Sequence, residues 1–170
     1  MKGHTALFIG RFQPFHHGHL AALHDLVFSY QEIFIVVGSS NENFTKDNPL
    51  TSGERLHLLR QVISHEGWEK SITQLIPFSD SPDNLLWTHR LIDCLPAFQV
   101  VCGNNELNNS LFQHLGYETE RLPFRHRSTW QGSVIRQRIR EHKSWNPSVP
   151  SYLVSLLSEF KFAERVQHAV

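Results

Sequence analysis

At 170 residues the chain is the size of one domain with a single substantial core, and its sixteen basic and sixteen acidic residues cancel. That balance argues against a general electrostatic attraction for nucleic acid or membrane surfaces, and 40% apolar with 19% charged residues is an ordinary globular composition. Two cysteines, Cys94 and Cys102, stand outside any CxxC pair; there is no signal-peptide core and no run of about 18 apolar residues, so the expectation is a soluble, cytoplasmic protein.

The apolar run Ala6-Leu7-Phe8-Ile9 stops at Gly10 and predicts a first strand over residues 5–10. Residues 18–30 follow, with Leu20, Leu23, Val27 and Phe28 at helical spacing. Glu32 to Gly38 is nearly continuously apolar, as in a parallel strand buried on both faces. Ser39 to Leu50 is polar, holds an Asn-Pro step and reads as a loop. Thr51-Ser52-Gly53-Glu54 then has the capping-box pattern, in which the threonine hydroxyl accepts from the Glu54 N–H while Glu54 reaches back. Leu56, Leu59, Val62 and Ile63 form the buried stripe of the helix it opens.

Ile72 to Phe78 predicts a third strand, ending at Ser79-Asp80-Ser81-Pro82-Asp83, with Asp83 placed to cap a helix from Asn84 to Leu95. Gln99 to Gly103 is a fourth strand. Glu106 to Leu115 is a helix stopped by Gly116, a common residue just past a helix end. Tyr117 to Leu122 is a fifth strand and Arg125 to Trp130 a basic loop. Gly132–His142 and Tyr152–Phe160 are the last helices. No repeat, low-complexity segment or linker interrupts the series, so residues 1–170 are expected to form a single domain. The alternation of strand and helix argues for an α/β parallel sheet with helices on both faces. Ligands of such sheets bind beyond the carboxyl ends of the strands, and three polar segments fall there: Gly10–His19, Ser79–Asp83 and Gly103–Asn105.

Neither GxxxxGK(S/T) nor GxGxxG follows the first strand. The loop Gly10–His19 offers another route to phosphate. His16 and His19, three apart at a helix entry, can donate to a phosphoryl group where the helix N-terminus adds positive potential. Gly18 lets a ligand approach the backbone closely, and Arg11 supplies a bidentate fork. This set suits attack on an α-phosphate with departure of pyrophosphate, which needs positioning and charge stabilisation more than an enzyme nucleophile. Zinc on the three histidines, without a nearby cysteine or carboxylate to complete the set, and purely structural histidines are the competing readings. Glu54 reads as a cap, Arg55 as a structural partner on its helix, and both cysteines as buried small apolar residues.

GRFQPFHHGH resembles the (H/T)xGH signature of the nucleotidyltransferase superfamily, in the form GRFQPFHxGH of the archaeal-type nicotinamide-mononucleotide adenylyltransferases. Residues 48–55 resemble that family's NPFTAGER segment. Asp80, Asn84, Leu86 and Trp87 match D-x3-N-x-L-W, Gly103-Asn104 its GN, and residues 132–136 its second signature SGTEIR, with Gln131 at the serine position and Ser133 for threonine. The resemblance implies a doubly wound, Rossmann-like sheet of about five strands. It implies transfer of AMP from ATP, with Mg2+, to nicotinamide mononucleotide, giving NAD and pyrophosphate.

By the same resemblance His16, His19, Arg11 and Arg136 would be catalytic. Gly10, Gly18, Gly103, Asn104, Arg127 and Ser133 would complete the ATP site, with Lys46 in a loop where the family often has an arginine. Phe12, Asp80, Asn84 and Trp87 would serve the mononucleotide. A capping aspartate and a core tryptophan remain the alternatives for Asp80 and Trp87, and a solvated basic loop for Arg125 and Arg127. No protein metal ligand and no nucleic-acid or membrane partner is expected, and a homo-oligomer is. Another nucleotidyltransferase, such as one acting on pantetheine phosphate, and a non-catalytic nucleotide sensor are the rival readings.

Overall fold

Strands too apolar to show either face to water need cover on both sides. In β1 (Lys2–Gly10) Ala6, Leu7 and Phe8 are buried, and in β2 (Tyr30–Val37) residues 33–37 all are. These two strands take the middle of a five-stranded, all-parallel sheet, with β3 (Ile72–Pro77) outside β2 and β4 (Val100–Cys102) and β5 (Glu118–Glu120) outside β1. The order is β3-β2-β1-β4-β5. The structure is a computed structural model that describes residues 2–123, 125–126 and 128–168.

Alternation along the central strands sorts side chains into two cores. Ala6 and Phe8 with Ile33, Ile35 and Val37 face one side, where they meet α1 (His17–Ser29), α2 (Ser52–Glu66), α5 (Gly132–Arg140), α6 (Val154–Glu159) and α7 (Phe162–His168). Leu7, Phe34 and Val36 face the other, under α3 (Asn84–Cys94) and α4 (Glu106–His114) through Trp87, Leu91 and Phe112. The chain runs outward from β1 to β3 and returns on the far side of β1, so strand order reverses between β1 and β4. That reversal opens the crevice in which α/β sheets bind ligands.

Local signals act as the sequence predicts at several helix ends. Glu54 N–H donates to the Thr51 hydroxyl and Thr51 N–H to the Glu54 carboxylate, closing the capping box. Asp83 accepts from the Leu85 and Leu86 N–H groups, and Gly116 ends the α4 segment at φ 85°. Other expectations need correction. Cys94 is exposed at the end of α3, whereas Cys102 is buried in β4. The segment 152–160 begins as a 3₁₀ turn, Ser151–Leu153, before α6. The seven-residue α7 has no strong sequence signal, because only Phe162 and Val166 are fully buried among its charged and polar residues. Its Arg165 forks onto both Glu54 carboxylate oxygens at 2.7 and 2.9 Å, donates to the Pro49 carbonyl and lies over the Phe44 ring.

Arg55, on α2, is wholly buried and bonds only to backbone oxygens: Gly38 at 2.7 Å, Arg11 and Ser39 at 3.0 Å, and Thr51 at 3.3 Å. Burial and the neighbouring Arg11 lower its pKa to about 10, which leaves it charged at neutral pH. Arg55→Met removes every donor and strands carbonyls at the ends of both central strands. Urea unfolding should show a loss of about 3 kcal/mol or more; a loss below about 1 kcal/mol would mean that water satisfies those carbonyls.

Candidate active site

Three cavities meet at the carboxyl end of β1. The first, about 360 Å³, lies between β1, β4 and α1 and is lined by Gly18, His19, Gly103, Asn104, Arg125 and Trp130 among others. The second, about 300 Å³, opens on the β2 side and includes Gly10, Arg11, Ser39, Asp80, Asn84 and Trp87. The third, about 200 Å³, gathers Arg11, Phe12, His16, His19, Ser133 and Arg136. Ile9 borders the first two, His16 and His19 the first and third, and Arg11 the second and third. Two ligands entering from opposite sides of β1 would therefore meet at Arg11 and the histidines.

His16 caps α1: its Nδ1 accepts from the His19 N–H at 3.3 Å, and the two rings stack with centroids 3.7 Å apart. A neutral His16 that accepts at Nδ1 carries its proton on Nε2, so that nitrogen is a donor. Burial, then the charge of His17, lowers the His16 pKa to about 3; burial, then His16, holds His19 well below the ordinary value. Both imidazoles are thus uncharged at neutral pH. The Nδ1 atom of His19 is buried and has no hydrogen-bond partner among the described residues. Gly18 is required between them, since a Cβ there would stand 2.8 Å from the Trp130 carbonyl and 3.0 Å from the His16 ring.

Phe12, at φ 53°, turns its ring inward against Phe8, Phe15 and His19. It is 1% exposed and lines the third cavity, not the one that holds Asp80 and Trp87. It supports His19 from beneath at a centroid distance of 4.7 Å.

The start of α5 closes the third cavity. Gln131 makes no side-chain cap, so the first N–H groups of the helix lack an intrahelical or capping acceptor. Arg136, one turn on, is buried; Nη1 donates to the Gln13 carbonyl at 2.7 Å and Nη2 to Asp47 at 2.9 Å, while Nε has no partner among the described residues. Asp47 is held below the usual carboxylate range, chiefly by that bond from Arg136, with Arg11 and Arg140 adding to it.

On the second cavity the two alternatives for Asp80 separate: Asp83 is the α3 cap, and Asp80 instead accepts from the Ser39 N–H at 3.2 Å. Trp87 is largely core, packed edge-on against Phe78 with its indole N–H on the Ser79 carbonyl, and what remains exposed lines the cavity. In the first cavity Asn104 spends its amide on both backbone groups of Leu122, at 2.8 and 3.2 Å, so its side chain brackets β4 to the segment after β5. Arg125 lines the cavity while pairing with Asp25. Arg127 lies outside the described residues. Lys46 offers its carbonyl to Arg140 and borders none of these three cavities.

The cytidylyltransferase-like family matches residues 7–138. The chain is 33% identical to the nicotinamide-nucleotide adenylyltransferase of Methanolobus tindarius over 95% of its own length and 92% of the relative's. It is 34% identical to the enzyme of that name from Thermoplasma volcanium, over 98% and 92%. The chain belongs to the nicotinamide-nucleotide adenylyltransferases of the cytidylyltransferase-like family. Among solved structures it superposes on a bifunctional NMN adenylyltransferase/ADP ribose pyrophosphatase from Francisella tularensis, complexed with AMP and a manganese ion. The TM-score is 0.79 at 16% identity, over 97% of this chain and 52% of that one. The chain thus spans about half the length of that protein. The nicotinic acid mononucleotide adenylyltransferase of Plasmodium falciparum follows the same fold at TM-score 0.67 and 9% identity, over 94% of this chain and 96% of that one.

Within this family setting two contributors escape a motif-by-motif reading. Gln13 is buried and brackets Leu50 by both its amide oxygen and nitrogen, tying the histidine loop to the entry of α2. Asp47 meets Arg136 across 89 positions of sequence. Gln13 stands inside the GRFQPF stretch as a polar residue between the aromatic residues Phe12 and Phe15, but its partner Leu50 lies 37 positions away.

The histidine burial has a pH signature. The folded-state pKa of His16 lies below its ordinary 6.5, so the unfolded chain takes up the proton first. The stability this gives is complete above about 6.5 and is lost as pH falls toward about 3. Between about pH 7.5 and about pH 5.5, denaturant melts should show wild type losing about 1.4 kcal/mol more than His16→Gln. Parallel curves would place His16 in solvent.

Proposed function

We propose that this chain transfers the adenylyl group of ATP to the 5′-phosphate of nicotinamide mononucleotide, giving NAD and pyrophosphate. The observation that carries this reading is the meeting of two substrate-sized cavities, on either side of β1, at a third lined by two arginines and two neutral imidazoles. ATP enters from the β4 side and the mononucleotide from the β2 side.

A 5′-phosphate oxygen of the mononucleotide attacks the α-phosphorus. The bond from that phosphorus to the bridging oxygen breaks, and pyrophosphate leaves with the electron pair. No enzyme nucleophile is needed; the work is alignment and stabilisation of spreading negative charge. His16 and His19 donate to the transferring phosphoryl group. Arg11, Arg136 and the Ser133 hydroxyl and N–H hold the departing phosphates, where the α5 N-terminus adds positive potential. Gly10 and Gly18 admit the nucleotide close to backbone. Gly103, Asn104 and Arg127 serve the adenosine end. Asp80 accepts from the carboxamide, Asn84 lines the same cavity, and the exposed part of the Trp87 indole faces the cationic pyridinium. Phe12 acts through His19.

Among the described residues no group of three His, Cys, Asp or Glu side chains is arranged to hold a metal ion. Magnesium enters this reading as the ATP complex, where it would neutralise phosphate charge. No described helix is long and apolar enough to cross a membrane. A cytoplasmic enzyme without a nucleic-acid partner is part of the same reading, in keeping with the zero net charge. A homo-oligomer is part of the same reading; Leu85, Leu86 and Leu107 expose their side chains on α3 and α4.

The test is chromatographic detection of dinucleotide and pyrophosphate after mixing with ATP, magnesium and, separately, nicotinamide mononucleotide, nicotinic acid mononucleotide and pantetheine phosphate. NAD formation from the first is expected. ATP binding without turnover on any acceptor would instead indicate a nucleotide sensor. His19→Ala should lower turnover by roughly 10²–10³, the scale for one preorganised donor, and an unchanged rate would remove it from the mechanism. Trp87→Ala should raise KM for the mononucleotide more than for ATP; equal effects on both would indicate a folding defect.

A further inference from the structure

One of the arginines lining the third cavity is already paired with a carboxylate of the chain, Asp47. Arg136 is 4% exposed and cannot reorient freely: its Nη1 is committed to the Gln13 carbonyl, and a Cβ on Gly132 would stand 3.3 Å from that same nitrogen. Its Nη2 meets Asp47 Oδ1 at 2.9 Å. The Asp47 side chain is 67% exposed, so one partner of this pair is fixed in protein and the other stands in water. A carboxylate and a phosphoryl group present the same acceptor geometry to a guanidinium.

We propose that Asp47 is an internal competitor for the polyphosphate, holding Arg136 in the free enzyme and leaving it when the nucleotide binds. The inference rests on reading the third cavity as the polyphosphate site. The surrounding loop is built for this exchange to involve one side chain. Arg140 Nη2 holds the Lys46 carbonyl at 3.0 Å, Thr45 N–H donates to the Asn48 carbonyl and Asn48 N–H to the Thr45 hydroxyl. The backbone on both sides of Asp47 is thus tied down, while its short side chain can rotate into solvent. Left in place, its charge would oppose the incoming phosphates across the same nitrogen. The pair also re-forms as pyrophosphate departs, so Asp47 weakens the product complex as it weakens the ATP complex. It sets affinity at this site, and Arg136 is the group it acts through.

Asp47→Asn, which keeps the size and removes the charge, and Asp47→Ala test this by calorimetric titration with inorganic pyrophosphate, Mg-ATP and adenosine. Both variants should bind pyrophosphate and Mg-ATP about three- to tenfold more tightly than wild type, the scale of one partly exposed, charge-assisted pair. Adenosine, which has no phosphate to compete, should bind all three proteins equally. KM for ATP should fall and product inhibition by pyrophosphate should strengthen in step. Unchanged or weaker pyrophosphate binding in both variants would overturn the proposal and leave Asp47 as a loop-ordering residue. If neither wild type nor the variants bind pyrophosphate while Mg-ATP and adenosine bind wild type equally, the assignment of the cavity itself fails, and Asp47's role with it.

Discussion

Arg55 spends its guanidinium on four carbonyl oxygens from three separate places in the chain: the residue after β1, the two residues after β2, and the turn before α2. Converging carbonyl dipoles repel one another, and water is the usual remedy. Here the oxygens lie under the loops that form the site, and a buried cation takes the place of water. The desolvation cost is several kcal/mol and is met by hydrogen bonds to charge, each stronger than a neutral one. Asp80 contributes at a distance, favouring the charged form of Arg55. The same Asp80 accepts from the Ser39 N–H, whose carbonyl Arg55 also holds. The end of β2 is therefore clasped from both sides, and the second cavity inherits its shape from that clasp. The third cavity depends on it through Arg11, whose carbonyl is anchored while its side chain lines both the second and third cavities.

The charge distribution around the histidines follows from burial. Two stacked imidazoles beside Arg136 cannot both be cationic, and burial keeps them neutral. Positive charge is left to the arginines and to helix N-termini, which do not need a proton from solvent. In the proposed reaction this division suits phosphoryl transfer: fixed cations would hold the departing phosphates, and neutral donors would follow the oxygens on which charge develops. The neutral donors also make little demand on pH.

Most of the architecture was legible because its determinants are local. The continuous apolar run at residues 33–37 could only be a doubly covered strand, and Thr51 with Glu54, Asp83 and Gly116 each mark a helix end through neighbours within a few positions. The histidine loop was legible for the same reason, as a run of unusual residues after a strand. The unread parts depend on long-range partners. Asn104 carries no local sign of the bracket it makes to Leu122, which lies 18 positions along the chain. Cys94 reads as buried from its helical pattern, but it falls at the last position of α3, where cover runs out. Asp47 reads as one more charge in a polar loop, and only α5, far along the chain, gives it a partner.

The short α7 shows how far such dependence extends. Arg165 grips Glu54, the Pro49 carbonyl and the Phe44 ring, and so ties the end of the chain to the segment that carries Asp47 and opens α2. Glu54 in turn anchors the turn from which Arg55 reaches the strand ends. A lesion in this terminal helix touches no substrate, yet its effect would surface as altered nucleotide handling. Helix α7 works as a remote brace on the loops that border the cavities.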